Sequence, residues 1–471
     1  MFSFPEAARF LKVAPVLLNP ASQASGASLD TRTLIPGNLF IALQGSQQDG
    51  HQYLEEAFRK GASGALISQA VFEAQEGRFL DRPELFQNLL PVPDPEISLH
   101  DLAVWHRSHF NLPTIGITGS VAKTSTKEFV TYLLRKRFSV LASSGNFNNH
   151  LGLPLTLLGL NPTHQFCVAE LGANHIGEIR YLAEILKPTA GIITQISSCH
   201  LEGFGSLEGI YQTKMELFET FPQGAAAVLP DDDLKLFERA QKLNLNLIRV
   251  GTSPEAHFRI GDIRLEKGFV SFVAKGKKRF SFPGMAAFFA RNAGLALAMI
   301  EALGVPLEDI PEVWGDFKLP SGRFQERRLP GGIQLIYDGY NANPASFLKA
   351  LESFDALPAS GRKILVFADM LELGPEEAKF HEALGHQIAG FGFDAVLAYG
   401  SRTAGSIAAI EAKKTSVLAR HFKNSRELAD FLLTLIKPGD CLLLKASRGM
   451  KIEEVMKTLK EKLDCSQPVT R

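Results

Sequence analysis

The sequence predicts an α/β protein of three domains. These are a small α/β domain at the N-terminus, a central parallel-sheet domain with a phosphate-binding loop and an antiparallel meander, and a Rossmann-like domain at the C-terminus. Three observations carry that expectation. Short apolar runs alternate with helix-patterned segments from about residue 112 onward, the pattern of a parallel sheet covered on both faces. A polar loop, Thr118 to Ser125, joins one such run to a helix. A second alternating series follows Lys318-Leu319-Pro320-Ser321-Gly322, which reads as a hinge. At roughly 150 residues per domain, 471 residues make three units, with boundaries expected at 1–109, 110–317 and 318–471.

In the first unit, Leu39–Leu43 is an apolar run after the turn Pro36-Gly37-Asn38. Gln52–Lys60 has an amphipathic helix pattern ending near Gly61, and Ala65–Ile67 reads as another strand. In the second, Thr114–Thr118 is a strand and Thr124–Lys136 a helix, with Phe129, Tyr132 and Leu133 on its buried face. Cys167–Leu171 and Gly191–Ile196 read as further buried strands. Arg259–Leu265, Phe269–Ala274 and Arg279–Phe282 are separated by turn-like Glu266-Lys267-Gly268 and Gly276-Lys277, which predicts the meander. A helix, Phe288–Leu303, follows. In the third unit the strand candidates are Ile333–Asp338, Lys363–Ala368, Ala395–Tyr399 and Cys441–Lys445. The segment beginning near Lys451 reads as a final helix with a frayed end.

Hydrophobic residues make up 45% and charged residues 21%, as in a chain that buries real cores. Lys plus Arg and Asp plus Glu are 50 each, so net charge gives no case for nucleic acid or an acidic membrane. The four cysteines, at 167, 199, 441 and 465, form no CxxC or zinc spacing, which suits a reduced cytoplasmic setting. The N-terminus lacks a signal-peptide pattern, and no apolar stretch reaches the roughly 18 residues of a membrane span. A monomer is expected.

Four strings carry chemistry. The loop Thr118-Gly119-Ser120-Val121-Ala122-Lys123-Thr124-Ser125 lies between strand and helix, where helix-start amides and the helix dipole hold phosphate. Lys123 would bring positive charge to the β- and γ-phosphates, and Thr124 a hydroxyl to Mg²⁺. Strict G-x-x-x-x-G-K-[ST] spacing is not met, since Ile117 and Ala122 stand at the glycine positions. Alanine at 122 requires φ < 0 and a methyl group clear of the phosphate. Glu170 closes the second strand, where open α/β sheets place ligand chemistry, and its carboxylate could hold Mg²⁺; taken alone, it reads as a helix-capping acid. His200 follows the third strand, and Lys214, taken alone, reads as a solvated helix lysine. Asp338, Tyr340 and Asn341, in Tyr337-Asp338-Gly339-Tyr340-Asn341-Ala342-Asn343-Pro344, could accept ribose hydroxyls and frame a base, though the Asn-Pro string alone is a turn.

Together the strings resemble the Mur ligase family over nearly the whole chain. The first unit contributes Asp30-Thr31-Arg32, Pro36–Leu43 and Asp49-Gly50-His51, similar to the family's UDP-sugar domain. The second contributes the phosphate loop, Gly145-Asn146-Phe147-Asn148-Asn149, Glu170-Leu171-Gly172-Ala173-Asn174-His175 and His200–Ser206. The third contributes Gly322-Arg323, Tyr340–Pro344, Asp369-Met370-Leu371-Glu372-Leu373-Gly374 and Lys445–Arg448. These motifs point to the member that adds D-alanyl-D-alanine to a UDP-linked muramoyl tripeptide, through an acyl phosphate made with ATP.

The resemblance implies particular roles. Thr124 and Glu170 would ligate one Mg²⁺ and His200 a second. Lys214 would be carbamylated by CO₂ and reach metal as an anion. The catalytic set is then Lys123, Lys214, His200 and Glu170. Gly119 through Ser125, Asn292, Arg323, Asp338, Tyr340 and Asn341 would contact the nucleotide. Ser28, Asp30, Thr31, Arg32, Asn146, Asn148, Asn149, Asn174, His175 and Ser447 would contact the muramoyl tripeptide and the dipeptide. Departures from the family pattern are Ala122, Ala286 for a histidine, Tyr337 for an aspartate, and Asn292 two residues beyond the usual spacing. Two rival readings are a related ligase on another carboxylate, such as a folate polyglutamylating enzyme, and a nucleotide-binding protein with impaired catalysis.

Overall fold

The structure, a computed structural model, describes residues 1–45, 48–413 and 416–465. Three main sheets follow one another along the chain. The first joins Ala27–Ser28, Leu39–Ile41, Gly64–Ser68 and Leu89–Val92, all parallel and in sequence order. Helix Pro95–Ser108 leaves this sheet toward the next unit. Its start is fixed by Asp94, whose carboxylate accepts from the Glu96 and Ile97 amides, and by proline in its first turn. Its end is pinned by the buried Arg107, which donates to Leu186 O, Phe110 O and Thr114 Oγ1.

The central sheet has nine strands. Their order is Lys278–Pro283, Phe269–Ala274, Phe258–Glu266, Asn246–Gly251, Ala226–Pro230, Ala190–Ile193, Thr114–Thr118, Phe166–Glu170 and Val140–Ala142. Only the two pairings among the first three are antiparallel. The expected meander is thus a continuation of the parallel sheet, joined to it where Val250 and Gly251 pair with Phe258 and Arg259. Strand Thr114–Thr118 is wholly buried, as a short β-branched run at a sheet's centre should be. Register sets Ile117 beside Glu170 and Thr118 beside Ile193, so three strand ends lie side by side.

Helix Lys123–Arg135 packs on this sheet through Phe129, which stacks on Phe317 at 4.2 Å and meets Phe282 edge-on at 4.8 Å. Fully buried Trp314 stacks on Phe282, so the meander and the chain leading to the third unit share one aromatic core with the loop's helix. The third sheet runs Gln325–Leu329, Ile333–Asp338, Cys441–Lys445, Lys363–Ala368, Ala395–Tyr399 and Leu418–Phe422, parallel except for the first pairing. The four strands expected there have the bounds read from sequence. Phe324 sits edge-on to Phe288 at 6.0 Å and ties this unit to the central one. Among the described residues no helix is long and apolar enough to cross a membrane. The last described element is helix Glu453–Cys465; the expected frayed end lies outside the described residues.

Candidate active site

The strand ends open into two adjoining cavities. One, of about 380 Å³, is lined by Val121, Ala122 and Ser125 of the loop, Asn292 of helix Phe289–Ala302, and Arg323, Asp338 and Asn341 of the third unit. The other, of about 610 Å³, is lined by Ser120 to Lys123, Asn148, Asn149, Glu170, Asn174, His200, Arg323, Tyr340 and Asn341. Val121, Ala122, Arg323, Asn341 and Ser346 border both. Asn292 joins the other expected nucleotide contacts despite its displaced spacing. Neither wall includes Gly119, Thr124, Lys214, Asn146, His175, Ser447 or the Ser28–Arg32 segment.

The loop is built by close backbone packing. Gly119 has φ 146°, and a Cβ there would meet Thr194 Oγ1 at 2.0 Å. Ser120 N–H donates to Gln195 O at 2.7 Å, and Val121 N–H shares that acceptor at 3.3 Å. The first helical bond runs from Thr126 N–H to Ala122 O, which leaves the amides of Lys123, Thr124 and Ser125 with no carbonyl inside the helix. Those amides, rather than the whole loop, are the part able to face an anion. Lys123 Nζ folds back to donate to Gly119 O at 2.9 Å. The expectation of φ < 0 at Ala122 is wrong: the residue has φ 69° and ψ 2°, left-handed, at the helix N-cap. The close turn between strand and helix demands the conformation that glycine adopts freely, and alanine meets it at a steric cost of about 1–2 kcal/mol.

Glu170 is not a helix cap. Its carboxylate is buried; Oε1 accepts from Asn148 Nδ2 at 2.9 Å, while buried Oε2 has no partner. A buried carboxylate oxygen left open suits a cation, and Thr124, the second residue of the loop's helix, has a hydroxyl that accepts from Arg323 at 3.3 Å. The open oxygen of Glu170 is the feature here that fits a divalent metal. Among the described residues, no group of three or more His, Cys, Asp or Glu is gathered as a ready metal cluster. His200, with φ 48°, lines the larger cavity, and its Nδ1 lies 2.5 Å from Glu372 Oε2 of the third unit. The close approach of His200 holds the Glu372 carboxyl below its usual range.

Lys214 is not solvated. It is 1% exposed on helix Leu207–Glu219, with Nζ over the Phe204 ring at 5.1 Å. Burial first, and the charge of Lys123 second, push its amine down to about 7. Two residues on, buried Glu216 accepts from the amides of Gly177 and Arg180 and so caps helix Glu178–Leu186 from outside. Glu178 in turn accepts from the Asn174 and His175 amides, and its other oxygen meets His175 Nδ1 at 3.1 Å.

Several expected contacts are occupied by the fold. Asn149 Oδ1 accepts from the Leu151 and Gly152 amides. Buried Ser447 accepts from Leu371 N–H and donates to Ala342 O. Asp338 accepts from Phe324 N–H and, at 2.6 Å, from buried Lys445. Arg323 lies 3.9 Å above the Tyr340 ring, with its buried Nε unpartnered. In the first unit Asp30 pairs with Arg32, Ser28 donates to Asp30 O and Thr31 to Glu56, a knitted loop that leaves the Arg32 side chain largely exposed. Glu216, Glu178 and Glu372 were not expected from sequence. The signal that could have found Glu372 is its place just beyond strand Lys363–Ala368, the same strand-end position as Glu170 and His200.

Residues 117–300 match the Mur ligase middle domain and residues 322–448 the Mur ligase, glutamate ligase domain. The chain is 31% identical over 453 residues to the UDP-N-acetylmuramoyl-tripeptide–D-alanyl-D-alanine ligase of Bacillus subtilis, covering 94% of this chain and 96% of that one. The chain belongs to the Mur ligase family. The enzyme of the same name from Haemophilus influenzae is 32% identical, covering 94% of this chain and 95% of that one. Among solved structures, MurF from Acinetobacter baumannii superposes with a TM-score of 0.82 at 26% identity, covering 98% and 99% of the two chains. MurF from Thermotoga maritima in complex with ADP gives 0.77 at 27% identity, covering 95% and 99%. The three-unit α/β fold is therefore that of the family.

Proposed function

We propose that this family member is the ATP-dependent ligase that joins D-alanyl-D-alanine to UDP-N-acetylmuramoyl tripeptide. One observation carries the reading beyond the names of its relatives: Lys123, Glu170 and His200 line a cavity that shares the wall Val121, Ala122, Arg323, Asn341 and Ser346 with the nucleotide-sized cavity beside it. Such an arrangement brings a phosphoryl donor and the carboxylate that accepts the phosphoryl group to one boundary. A carboxylate at neutral pH is a poor electrophile. Transfer of the γ-phosphoryl group to its oxygen gives ADP and an acyl phosphate. The dipeptide's amine, in its neutral form, then attacks the acyl carbon; the tetrahedral adduct expels phosphate, and the nitrogen loses a proton. Lys123 and the amides of Lys123, Thr124 and Ser125 stabilise charge on the phosphoryl oxygens. Mg²⁺, held by Thr124 and Glu170 and at a second position by His200, would supply further charge neutralisation there.

The carbamate on Lys214 belongs to this proposal. Carbamylation consumes a neutral amine, and an amine lowered to about 7 is half neutral at that pH. The division at 109/110 and 317/318, the substrate roles of the Ser28–Arg32 loop, of Asn146, Asn174 and His175, and work as a cytoplasmic monomer belong to it too; both cavities being complete within one chain supports the monomer.

The test is ADP release with the tripeptide, with and without D-alanyl-D-alanine and Mg²⁺. The dipeptide should stimulate release and be recovered in amide linkage. Lys123→Ala should abolish turnover while the chain still folds. No stimulation by the dipeptide would sink the ligase reading, and ATP binding without turnover in the unaltered chain would favour a protein with impaired catalysis.

A further inference from the structure

His200 faces two ways. The residue lines the larger cavity, but Nδ1 is buried and, with no other polar partner, lies 2.5 Å from Glu372 Oε2 in an ion-pair contact that lacks hydrogen-bond alignment; Glu372 is not part of that cavity's wall. The two residues come from different units. Glu372 has φ 64°, a left-handed conformation rare for a side chain of this kind, so its placement is imposed by its surroundings. The next turn lies against the central unit: Gly374 has φ 71°, and a Cβ there would lie 3.4 Å from the Glu202 amide nitrogen. A metal-ligating histidine commonly donates its other ring N–H to a carboxylate, which fixes its tautomer and raises its basicity. Here that carboxylate comes from across the junction between the central and third units.

We propose that Glu372 is a positioning residue for His200: it holds Nδ1–H as donor and so sets Nε2, with its lone pair, as the nitrogen offered to a divalent cation. The third unit thereby completes a ligand of the central unit. Cation affinity at His200 is then coupled to the approach of the two units, and by linkage the cation favours that approach by the same factor. The inference rests on the reading of this cavity as a site of metal-dependent nucleotide chemistry, and extends it to the residue that makes the metal position conditional.

The test is Mn²⁺ binding to the full-length chain with ADP, followed by electron paramagnetic resonance, which needs no turnover. Glu372→Ala should weaken one class of Mn²⁺ by about 10- to 100-fold. Glu372→Gln, whose amide oxygen still accepts from Nδ1–H, should weaken it less, and it serves as the measurement if the alanine variant does not fold. In a His200→Ala background, Glu372→Ala should cause no further loss. Unchanged Mn²⁺ affinity in Glu372→Ala, or an equal further loss without His200, would overturn the role of Glu372 alone. Failure of the unaltered chain to bind Mn²⁺ with ADP would overturn the metal-dependent reading as well.

Discussion

At the scale of single residues, two side chains in this site pay for their positions. Ala122 occupies a left-handed N-cap that glycine would fill without strain. Ala122→Gly should therefore raise the free energy of unfolding by about 1 kcal/mol, somewhat offset by the glycine's greater freedom when unfolded. Thermal unfolding followed calorimetrically would show it as a higher midpoint; a lower midpoint would mean that the methyl group packs usefully. Lys214 is the second case. Its folded value of about 7 lies below the ordinary 10.5, so the unfolded chain binds more protons across that interval. The sign follows: from this group, stability rises as pH climbs from about 7 toward 10.5, and its full burial penalty is felt below 7. The neutral amine that CO₂ requires is likewise lost below 7. Turnover in CO₂-depleted buffer should fall, recover on adding bicarbonate, and recover less at pH 6 than at pH 8. Lys214→Ala should be inactive, with partial rescue by short-chain carboxylic acids; full activity in that variant would end the carbamate reading.

Elements decide whether those residues meet. Helix Glu178–Leu186 starts without a side-chain cap of its own and borrows Glu216 from helix Leu207–Glu219. A carboxylate accepts both amides, one on each oxygen, whereas a glutamine would turn an NH₂ group toward one of them. Glu216→Gln should cost about 1–3 kcal/mol of local stability and loosen the preceding loop that carries Asn174. The measurement is a split of kinetic constants: KM for tripeptide or dipeptide rises more than kcat falls. Equal constants with a lowered melting midpoint would make Glu216 purely structural. At this scale the sequence was most legible where strands are buried on both faces. Ile333–Asp338, Lys363–Ala368, Ala395–Tyr399 and Cys441–Lys445 are continuous apolar runs and carried their own bounds. Gln325–Leu329 and Leu418–Phe422 escaped notice because they are sheet edges, rich in polar side chains where one face meets water. The site divides the same way. Lys123, Glu170 and His200 were visible because each follows its own strand. Glu216 was not, since its role exists only after two helices meet; Glu372 follows a strand too, but the histidine it faces belongs to another unit.

Across the whole molecule, one residue stands at every boundary of the site. Arg323 follows the expected hinge, borders both cavities, donates to Thr124 beside the loop lysine and lies over Tyr340. Its guanidinium thus spans the third unit's own ring and the central unit's phosphate loop. An acyl phosphate is open to hydrolysis, and closure of two units over it is the physical means of keeping water away. If Arg323 joins the units, Arg323→Ala should raise the KM for ATP by about tenfold or more, the worth of one charge-assisted contact of 1.5–3 kcal/mol. A contact that served only nucleotide binding would predict no more than that. A contact that also holds the units together predicts leakage: ADP formed in excess of amide, with the excess growing as dipeptide is diluted and water competes for the acyl phosphate. Small-angle scattering supplies the structural half, because a non-hydrolysable ATP analogue at saturating concentration should leave the variant with a larger radius of gyration than the unaltered chain. Equal radii and one ADP per amide in Arg323→Ala would confine Arg323 to the nucleotide. Excess ADP with a larger radius would make it the residue through which nucleotide occupancy keeps the central and third units together.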